Sequence, residues 1–216
     1  MRIAVQGVPG CFSEQAALQL RPQAEILHCA DFSAMFTALV SGTAAASASG
    51  AVATAVVTVE AAIVPIENTL AGMVEETAVL LRQYQDQIQV DSEVQLQIEL
   101  CLMLHPGAAM TGVREVLSHP VALRQCKKFL AQWPAWRVTS FFDTAGSVAE
   151  AMRRGAAGQL DTAAVASPRA AAVYGARIAQ RGIGDESANF TRFFLVTAPA
   201  ASVLPRVGRG EGSAAS

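Results

Sequence analysis

The stretch Asn189-Phe190-Thr191-Arg192-Phe193-Phe194-Leu195-Val196 decides how this chain is interpreted. Its apolar end, residues 193–196, predicts a buried strand. An amide, a hydroxyl and a guanidinium come directly before that run. Polar groups held on a rigid, buried element need partners, so the stretch indicates a binding site at the mouth of a strand.

Other polar groups stand at similar places along the chain. Glu67-Asn68-Thr69 follows an apolar run at residues 61–66 that predicts another strand. Three further predicted strands, at 113–117, 136–142 and 162–166, are followed by Ser118, His119, Asp143, Thr144 and Ser167. Open α/β sheets bind their ligands at the carboxyl ends of strands. These residues therefore predict one site assembled from distant segments.

Strand and helix patterns alternate along the rest of the chain. A strand at residues 2–6 leads through a glycine turn at 7–10 into a helix that Ser13 would cap. Further strands are predicted at 25–28 and 95–104, and helices at 32–40, 72–84, 121–131 and 145–154. The alternation predicts an α/β fold with mostly parallel sheets. A break in the pattern near residues 91–94 predicts two lobes with a cleft between them.

These patterns predict how the chain divides. Residues 1–92 with about 180–199 are expected to form lobe 1, and residues 93–179 to form lobe 2. Residues 42–58 are uncharged and low in complexity, which predicts a surface insertion, mobile or partly helical. An extension of the preceding helix is the alternative, given the alanine content. Residues 200–216 predict a disordered tail.

Composition excludes several classes of function. The 216 residues are 52% hydrophobic and 16% charged, with a net charge of -2, so neither nucleic acid nor a membrane surface is an expected partner. No run is long and apolar enough to span a membrane, and no signal segment is visible, which predicts a cytoplasmic protein. The four cysteines form no CxxC pair and lie at no ligand spacing from a histidine, so we expect neither a metal site nor a disulfide.

The polar residues near the end of the chain suggest specific chemistry. Thr191 has no adjacent base, so its useful role is to donate a proton or hydrogen bond to a departing oxygen; an ordinary strand threonine is the alternative. Arg192 would pair with a ligand carboxylate, or form a structural ion pair with Glu67 or Asp185. Neighbours on a strand face opposite ways, so Thr191 and Arg192 do not readily contact one ligand.

The other candidates each have a functional and a structural interpretation. Asn68 and Thr69 are neutral donors that suit an anionic substrate, whereas Glu67 is either a general acid or a brace for its loop. His119 and Thr144 either contact a ligand or only cap helices. The turn at residues 7–10 lacks the Lys-Ser/Thr of a phosphate loop and the third glycine of a dinucleotide fingerprint, so no nucleotide cofactor is predicted.

Taken in order, six segments resemble the prephenate dehydratase family. They are residues 6–14 (QGVPGCFSE), 64–72 (VPIENTLAG), 117–126 (LSHPVALRQC), 143–145 (DTA), 163–167 with 171–175 (AAVAS and AAVYG) and 189–193 (NFTRF). Each motif alone is weakly specific. Their order and spacing across residues 2–197 make the resemblance specific.

The resemblance implies a two-lobed α/β domain similar to type 2 periplasmic binding proteins, with the active site in the interlobe cleft. It implies decarboxylation and dehydration of prephenate to phenylpyruvate in phenylalanine biosynthesis, without a cofactor, in a homodimer or higher homo-oligomer. It gives Thr191 the essential catalytic role, while Glu67 and His119 stay open as alternative proton donors. The expected substrate-binding residues are Ser13, Asn68, Thr69, Ser118, His119, Thr144, Asn189, Arg192 and Phe193.

The chain also departs from the family pattern. Cys11 stands where the family usually has threonine or alanine, and the insertion at 42–58 is longer than the family's connection. Nothing after residue 197 resembles the phenylalanine-binding ACT domain, so we expect no inhibition through such a domain. Two alternative functions stay open. One is an arogenate dehydratase, with the same chemistry on the aminated substrate; the other is a non-catalytic module that binds a small anion and does not need Thr191.

Overall fold

The computed structural model describes residues 1–47 and 54–199. The predicted tail at 200–216 and the middle of the predicted insertion, 48–53, lie outside the described residues. The described chain forms two main β-sheets with helices packed on them, and a separate two-stranded hairpin. No helix in this part of the chain has the length and apolar character needed to cross a membrane.

The first sheet is built from both ends of the chain. Its strands are β1 (Arg2–Gln6), β2 (Glu25–Cys29), β5 (Ala61–Asn68), β6 (Gly72–Met73), β7 (Gln89–Gln97) and β13 (Phe190–Thr197). They lie in the order β2-β1-β5-β13-β7, with β6 paired to β5. The last strand, β13, inserts between β5 and β7 and places Thr191 opposite Asn68.

The second sheet uses the middle of the chain. Its strands are β8 (Cys101–Leu104), β9 (Glu115–Ser118), β10 (Arg137–Ser140), β11 (Thr162–Ala166) and β12 (Arg177–Gln180). Their order is β10-β9-β11-β8-β12. The strand β12 was not predicted, because its sequence, Arg177-Ile178-Ala179-Gln180, carries only a short and weak apolar pattern.

Both sheets are mixed, so the prediction of mostly parallel sheets was wrong in that detail. The pairs β1–β2, β1–β5, β9–β10 and β9–β11 are parallel, whereas every pair that involves β13 or β8 is antiparallel. The cause lies in the chain path. Each of these two strands enters its sheet from the other half of the molecule, without the crossover helix that would make it parallel.

In the part of the chain that the structure describes, seven α-helices accompany the sheets, together with a short 3-10 helix at Met110–Gly112. The α-helices are α1 (Phe12–Leu20), α2 (Phe32–Ser41), α3 (Glu75–Gln83), α4 (Pro120–Arg124), α5 (Lys127–Leu130), α6 (Thr144–Ala156) and α7 (Pro168–Tyr174). Apolar clusters cover both faces of each sheet. At the start of α1, Cys11 and Phe12 pack against clusters of both sheets. The N-terminus of α1 therefore lies where the two halves of the structure meet.

The long strand predicted at residues 95–104 is two strands in different sheets. The alternating segment ends with β7 at Gln97, and the wholly apolar segment forms β8 from Cys101. Alternation suits β7, which is an edge strand with exposed residues, while continuous apolarity suits β8, which is buried throughout. The predicted lobe boundary at 92/93 falls inside β7. We propose residues 98–100 as the boundary, because the chain changes sheets there.

The predicted insertion at 42–58 contains strands. Residues Thr43–Ser47 form β3, which pairs antiparallel with β4 at Thr54–Thr58. The alternative, an extension of the preceding helix, is wrong, because α2 ends at Ser41 and Gly42 adopts a left-handed conformation with φ of 68°. That conformation ends a helix at low cost only for glycine. The prediction rested on the low complexity of the segment and did not weigh its threonine and valine residues, which favour strands.

Two predicted helices are shorter than expected. The helix predicted at 72–84 begins at Glu75, because Gly72–Met73 pair with β5 as the strand β6. The helix predicted at 121–131 is divided into α4 and α5. Asp185 divides them, since its carboxylate accepts the backbone N–H groups of Lys127 and Lys128 at 3.1 and 2.9 Å. A new helix N-terminus therefore forms at that point.

Candidate active site

The polar side chains of β5 and β13 meet at one end of the first sheet. Asn68 is the last residue of β5, and its Nδ2 donates to Thr191 Oγ1 at 2.9 Å and to Asn189 Oδ1 at 2.8 Å. Its Oδ1 accepts the backbone N–H groups of Leu70 and Ala71 at 3.0 and 2.9 Å. These two bonds fix the orientation of the Asn68 amide, so its NH₂ group must face Thr191.

Thr191 is 8% exposed and lies on the face of β13 that packs toward α1. Among the described residues, its hydroxyl oxygen has one hydrogen-bond partner, Asn68, for which it is the acceptor. The hydroxyl proton is therefore not used by a protein acceptor in this part of the chain. A hydroxyl in this state can donate to an oxygen of a ligand.

A fourth residue, Gln125, reaches this group from the other half of the molecule. It lies between α4 and α5, and its Oε1 accepts from Asn189 Nδ2 at 3.1 Å. Its Nε2 donates to Asn68 Oδ1 at 3.4 Å. We call the set Asn68, Asn189, Gln125 and Thr191 the amide bridge. Gln125 lies in one of the segments that resemble the family, but no local pattern indicates what a glutamine at this position contacts.

A cavity of about 300 Å³ lies beside the amide bridge. Residues from both halves of the chain line it: Leu70, Ala71, Val121, Arg124, Gln125, Lys128, Asp185 and Glu186. Arg124 and Lys128 supply positive charge on one side, and Lys128 Nζ pairs with Glu186 Oε1 at 3.4 Å. The Asp185 carboxylate accepts backbone N–H groups of α5, so part of the negative charge that lines the cavity is already engaged.

Several predicted site residues of β5 and β13 lie outside the bridge. Thr69 uses its hydroxyl for the backbone, donating to Ala188 O at 3.1 Å and accepting from Phe190 N at 3.0 Å. Phe193 is 2% exposed and packs in the core with Ile3 and Leu195. Thr69 therefore braces the loop before β13, and Phe193 is a core residue in this structure.

Glu67 and Arg192 form an ion pair on the other face of the sheet. Arg192 Nη2 lies 3.5 Å from Glu67 Oε2, and both side chains are about half exposed. The guanidinium also lies over the ring of Phe194. Because Arg192 and Thr191 are neighbours on a strand, their side chains diverge, as the sequence predicted. In this structure Arg192 therefore forms the ion pair with Glu67 that the sequence offered as its structural alternative.

Three more predicted residues lie at strand ends of the second sheet. Ser118 Oγ donates to Val165 O at 2.6 Å, which ties β9 to β11. His119 caps α4, its Nδ1 accepting from Val121 N at 3.3 Å. Thr144 is the first residue of α6, whose cap is Asp143. Within the described residues, no hydrogen bond joins these side chains to the amide bridge.

The charge state of His119 follows from its surroundings. Burial lowers the pKa of His119 below its ordinary value, Arg124 acts in the same direction, and Asp143 opposes them. The imidazole is therefore neutral near neutral pH. Since Nδ1 accepts a backbone N–H, Nε2 carries the proton and is the atom that can donate to a ligand.

A second contact between the two halves is charged. Glu14 in α1 is 4% exposed. Its Oε1 accepts from Arg169 Nε of α7 at 2.6 Å, and its Oε2 accepts from Gly10 N at 2.6 Å. His28 Nε2 lies 3.0 Å from Oε2. We call Glu14, Arg169 and His28 the charged bridge. Burial alone raises the pKa of Glu14, but the bonds from His28, Gly10 and Arg169 outweigh it and lower the pKa to about 2.

The start of α1 differs from its prediction. The cap position is Cys11, which makes no side-chain capping bond, and Ser13 is buried in the first turn of the helix. Ser167 closes this region from the other half, donating to Gly10 O at 2.8 Å and accepting from Ala170 N at 3.1 Å. A Cβ on Gly10 would approach Ala170 Cα to 2.8 Å, so only glycine fits this contact without a shift of backbone.

Sequence comparisons place the chain among known proteins. A family model described as prephenate dehydratase matches residues 3–201. The chain is 34% identical to arogenate dehydratase 1 of Petunia hybrida and 35% identical to arogenate dehydratase 5, chloroplastic, of Arabidopsis thaliana. Each match covers 97% of this chain and 44% of the relative. The chain thus spans less than half the length of these curated relatives.

Solved structures share the fold of this chain. A structure described as a novel type of quorum-quenching acylase matches with a TM-score of 0.76 and 30% identity, covering 95% of this chain and 67% of that chain. The prephenate dehydratase of Arthrobacter aurescens, in complex with L-Phe, matches with a TM-score of 0.73 and 24% identity, covering 93% and 61%. The latter likeness shows the fold, and the family model covers nearly the whole described chain. The chain therefore belongs to the prephenate dehydratase family.

Proposed function

We propose that this protein catalyses the decarboxylating dehydration of prephenate to phenylpyruvate, a step of phenylalanine biosynthesis. The observation that carries the proposal is the bond from Asn68 Nδ2 to Thr191 Oγ1, at 2.9 Å, inside a contact between the two halves of the chain. Because the hydroxyl oxygen of Thr191 already accepts from Asn68, the hydroxyl proton is available to donate to a ligand. That arrangement suits donation to a leaving oxygen.

The reaction places few demands on the protein. Prephenate carries two carboxylates and a ring hydroxyl. When the carbon–carboxylate bond breaks, its electron pair moves into the ring and the carbon–hydroxyl bond breaks, which yields an aromatic ring and carbon dioxide. The hydroxyl leaves as water if it receives a proton, and Thr191 donates to it at that moment. Thr191 recovers its proton from solvent.

The neutral character of the amide bridge fits this chemistry. Through its bond to Thr191 Oγ1, the Asn68 amide stabilises negative charge that builds on the threonine oxygen as its proton is donated, without a full positive charge that would hold back electrons from the ring. The cavity beside the bridge supplies Arg124, which suits a substrate carboxylate, whereas Lys128 already pairs with Glu186. In this proposal binding charge and proton donation come from neighbouring but different residues.

Arogenate is the alternative substrate. It differs from prephenate in the side chain, where an amino group replaces the keto group, and the ring chemistry is the same. The plant relatives at 34% and 35% identity carry the name arogenate dehydratase. Acyl transfer, named for one similar structure, is less favoured, because the described contacts give Thr191 an amide partner and no base to activate it.

Location and assembly belong to the same proposal. We expect a cytoplasmic protein that forms a homodimer or a higher homo-oligomer. All four cysteines are unpaired, which suits a reducing compartment. Light scattering coupled to gel filtration measures the assembly, and a monomer at micromolar concentration would contradict this part of the proposal.

The test is a direct assay of both substrates. Purified protein is incubated with prephenate and, separately, with arogenate, and phenylpyruvate and phenylalanine are quantified. Phenylpyruvate released from prephenate, with a higher kcat/KM than for arogenate, supports the proposal. A preference for arogenate would identify the alternative, and conversion of neither by a folded protein would contradict both.

A further inference from the structure

A thiol, a carboxylate and an imidazole converge next to the first strand of the chain. Cys11, Glu14 and His28 each contribute one ligand atom, and these atoms all lie within 4.8 Å of one another. Ligands of tetrahedral zinc lie about 2.0–2.3 Å from the ion, so small side-chain movements would bring all three into range. The spacing of cysteine and histidine in the sequence does not predict this cluster, because Cys11 and His28 are 17 residues apart.

Regular elements hold these three residues. Cys11 is the cap residue of α1 and Glu14 lies in its first turn, so their side chains share one side of the helix. His28 lies on β2, opposite Val5 of the neighbouring strand β1. Positions held by a helix start and a paired strand are better defined than positions on a loop. The cluster is therefore part of the framework of the first sheet.

The surroundings of Glu14 suit a ligating carboxylate. Its Oε1 is held by Arg169 Nε at 2.6 Å, while Oε2 accepts from Gly10 N at 2.6 Å and lies 3.0 Å from His28 Nε2. With Oε1 held, Oε2 can bind an ion without losing the bond to Arg169, as an outer-shell partner often does for a ligating group. The thiolate and the carboxylate would offset the two charges of the ion, and Arg169 is 39% exposed, so water screens its charge.

We propose that Cys11, Glu14 and His28 form a three-ligand site for a divalent transition-metal ion such as Zn²⁺, with water in the fourth position. The mixture of sulfur, nitrogen and oxygen ligands selects against Mg²⁺ and Ca²⁺, which need oxygen ligands. On binding, one metal–sulfur, one metal–nitrogen and one metal–oxygen bond form. The Cys11 proton passes to solvent, the proton on His28 Nε2 that faces Glu14 Oε2 leaves that nitrogen for solvent or for Nδ1, and no electron is transferred. The site is independent of the proposed dehydratase activity.

The site would join α1 to β2 at the place where the two halves meet. The backbone carbonyl of Gly10, next to Cys11, accepts from Ser167 in the other half. A bound ion would therefore stabilise this contact and raise the unfolding temperature of the protein by mass action. That effect is separate from any change in turnover.

Cobalt is the probe of choice, because a thiolate bound to Co²⁺ gives a charge-transfer absorption band in the near ultraviolet. The full chain, reduced and freed of metal, is titrated with Co²⁺. We expect the band to saturate at one ion per chain and to disappear when Zn²⁺ is added in competition. Zn²⁺ should also raise the unfolding temperature.

Variants decide whether the named residues hold the ion. Cys11→Ser should abolish the band, and His28→Gln should weaken binding by at least the roughly 10–100-fold that loss of an outer-shell partner costs. Cys29→Ser is the matched control, since Cys29 is the next residue on β2 and packs on the opposite face of the sheet; it should bind as the wild type does. If Cys11→Ser does not fold, His28→Gln carries the test. No saturable band, or equal loss in Cys29→Ser, would overturn the proposal.

Discussion

Two of the contacts that join the halves of this molecule differ in chemistry. The amide bridge contains only neutral groups, whereas the charged bridge buries the Glu14 carboxylate against Arg169 and His28. A buried carboxylate is stable only while its partners stay in place, so the charged bridge fixes one arrangement. Neutral amide groups lose less free energy when one hydrogen-bond partner is replaced by another. The charged bridge is thus suited to anchor the two halves to each other, and the amide bridge is suited to exchange a protein partner for a ligand.

The largest effect is expected from the hydroxyl at the centre of the amide bridge. Thr191→Ala should lower kcat on the preferred substrate by roughly 10²–10⁴-fold, the usual contribution of a positioned proton donor. The unfolding temperature should change little. Thr191→Ser keeps the hydroxyl and should retain most of the turnover. Steady-state kinetics with both variants check this, and an unchanged kcat in Thr191→Ala would reject the catalytic role.

A smaller loss is expected when the bridge loses its link to the second half. Gln125→Leu removes the partner of Asn189 Nδ2 and one partner of Asn68. Misplaced catalytic groups cost up to about 10²-fold, so we expect a loss of roughly 10–100-fold in kcat/KM. Gln132→Leu, an exposed glutamine nearby, is the control. Equal kinetics of the two variants would show that the link has no effect on the reaction.

The charged bridge should affect stability more than chemistry. Arg169→Ala removes a charged donor from a buried carboxylate, but the arginine is 39% exposed, so screening reduces the effect. We expect the free energy of unfolding to fall by about 1–2 kcal/mol. Arg181→Ala removes a more exposed ion pair with Glu99 and should cost less than about 1 kcal/mol. Urea denaturation measures both, and a larger loss for Arg181→Ala would refute the anchoring role.

The smallest effect concerns the cap beside the charged bridge. Ser167 caps α7 through Ala170 N and also holds Gly10 O. Ser167→Ala should therefore cost about 1 kcal/mol, typical of a lost N-cap. Ser33→Ala, at an exposed position in the first turn of α2, should stay within about 0.5 kcal/mol of the wild type. No difference between the two in chemical denaturation would exclude a structural role for Ser167.

Sequence reasoning located much of the amide bridge. Asn68, Asn189 and Thr191 were singled out because polar residues at the ends of apolar runs need partners, and the fold brings them together. Gln125 could not be found in the same way. It lies between two short helices with no strand to mark it, and its contacts depend on how the two halves pack.

The features that sequence reasoning did not foresee have a common cause. The apolar run at residues 95–104 gave no sign that the chain leaves one sheet and enters another. Phe193 is adjacent in sequence to polar site candidates, yet it faces the core. Cys11 and His28 are far apart in sequence and adjacent only because β1 and β2 pair. In each case long-range packing, which local periodicity does not encode, decides the outcome.

The most direct test of the account is the coupling between Asn68 and Thr191. The kcat/KM of Asn68→Ala is measured once in the wild-type background and once in Thr191→Ala. If the amide orients the catalytic hydroxyl, the loss caused by Asn68→Ala should shrink by roughly tenfold or more once the hydroxyl is gone. An identical fold-loss in both backgrounds would show that the two residues act independently, and would contradict the account.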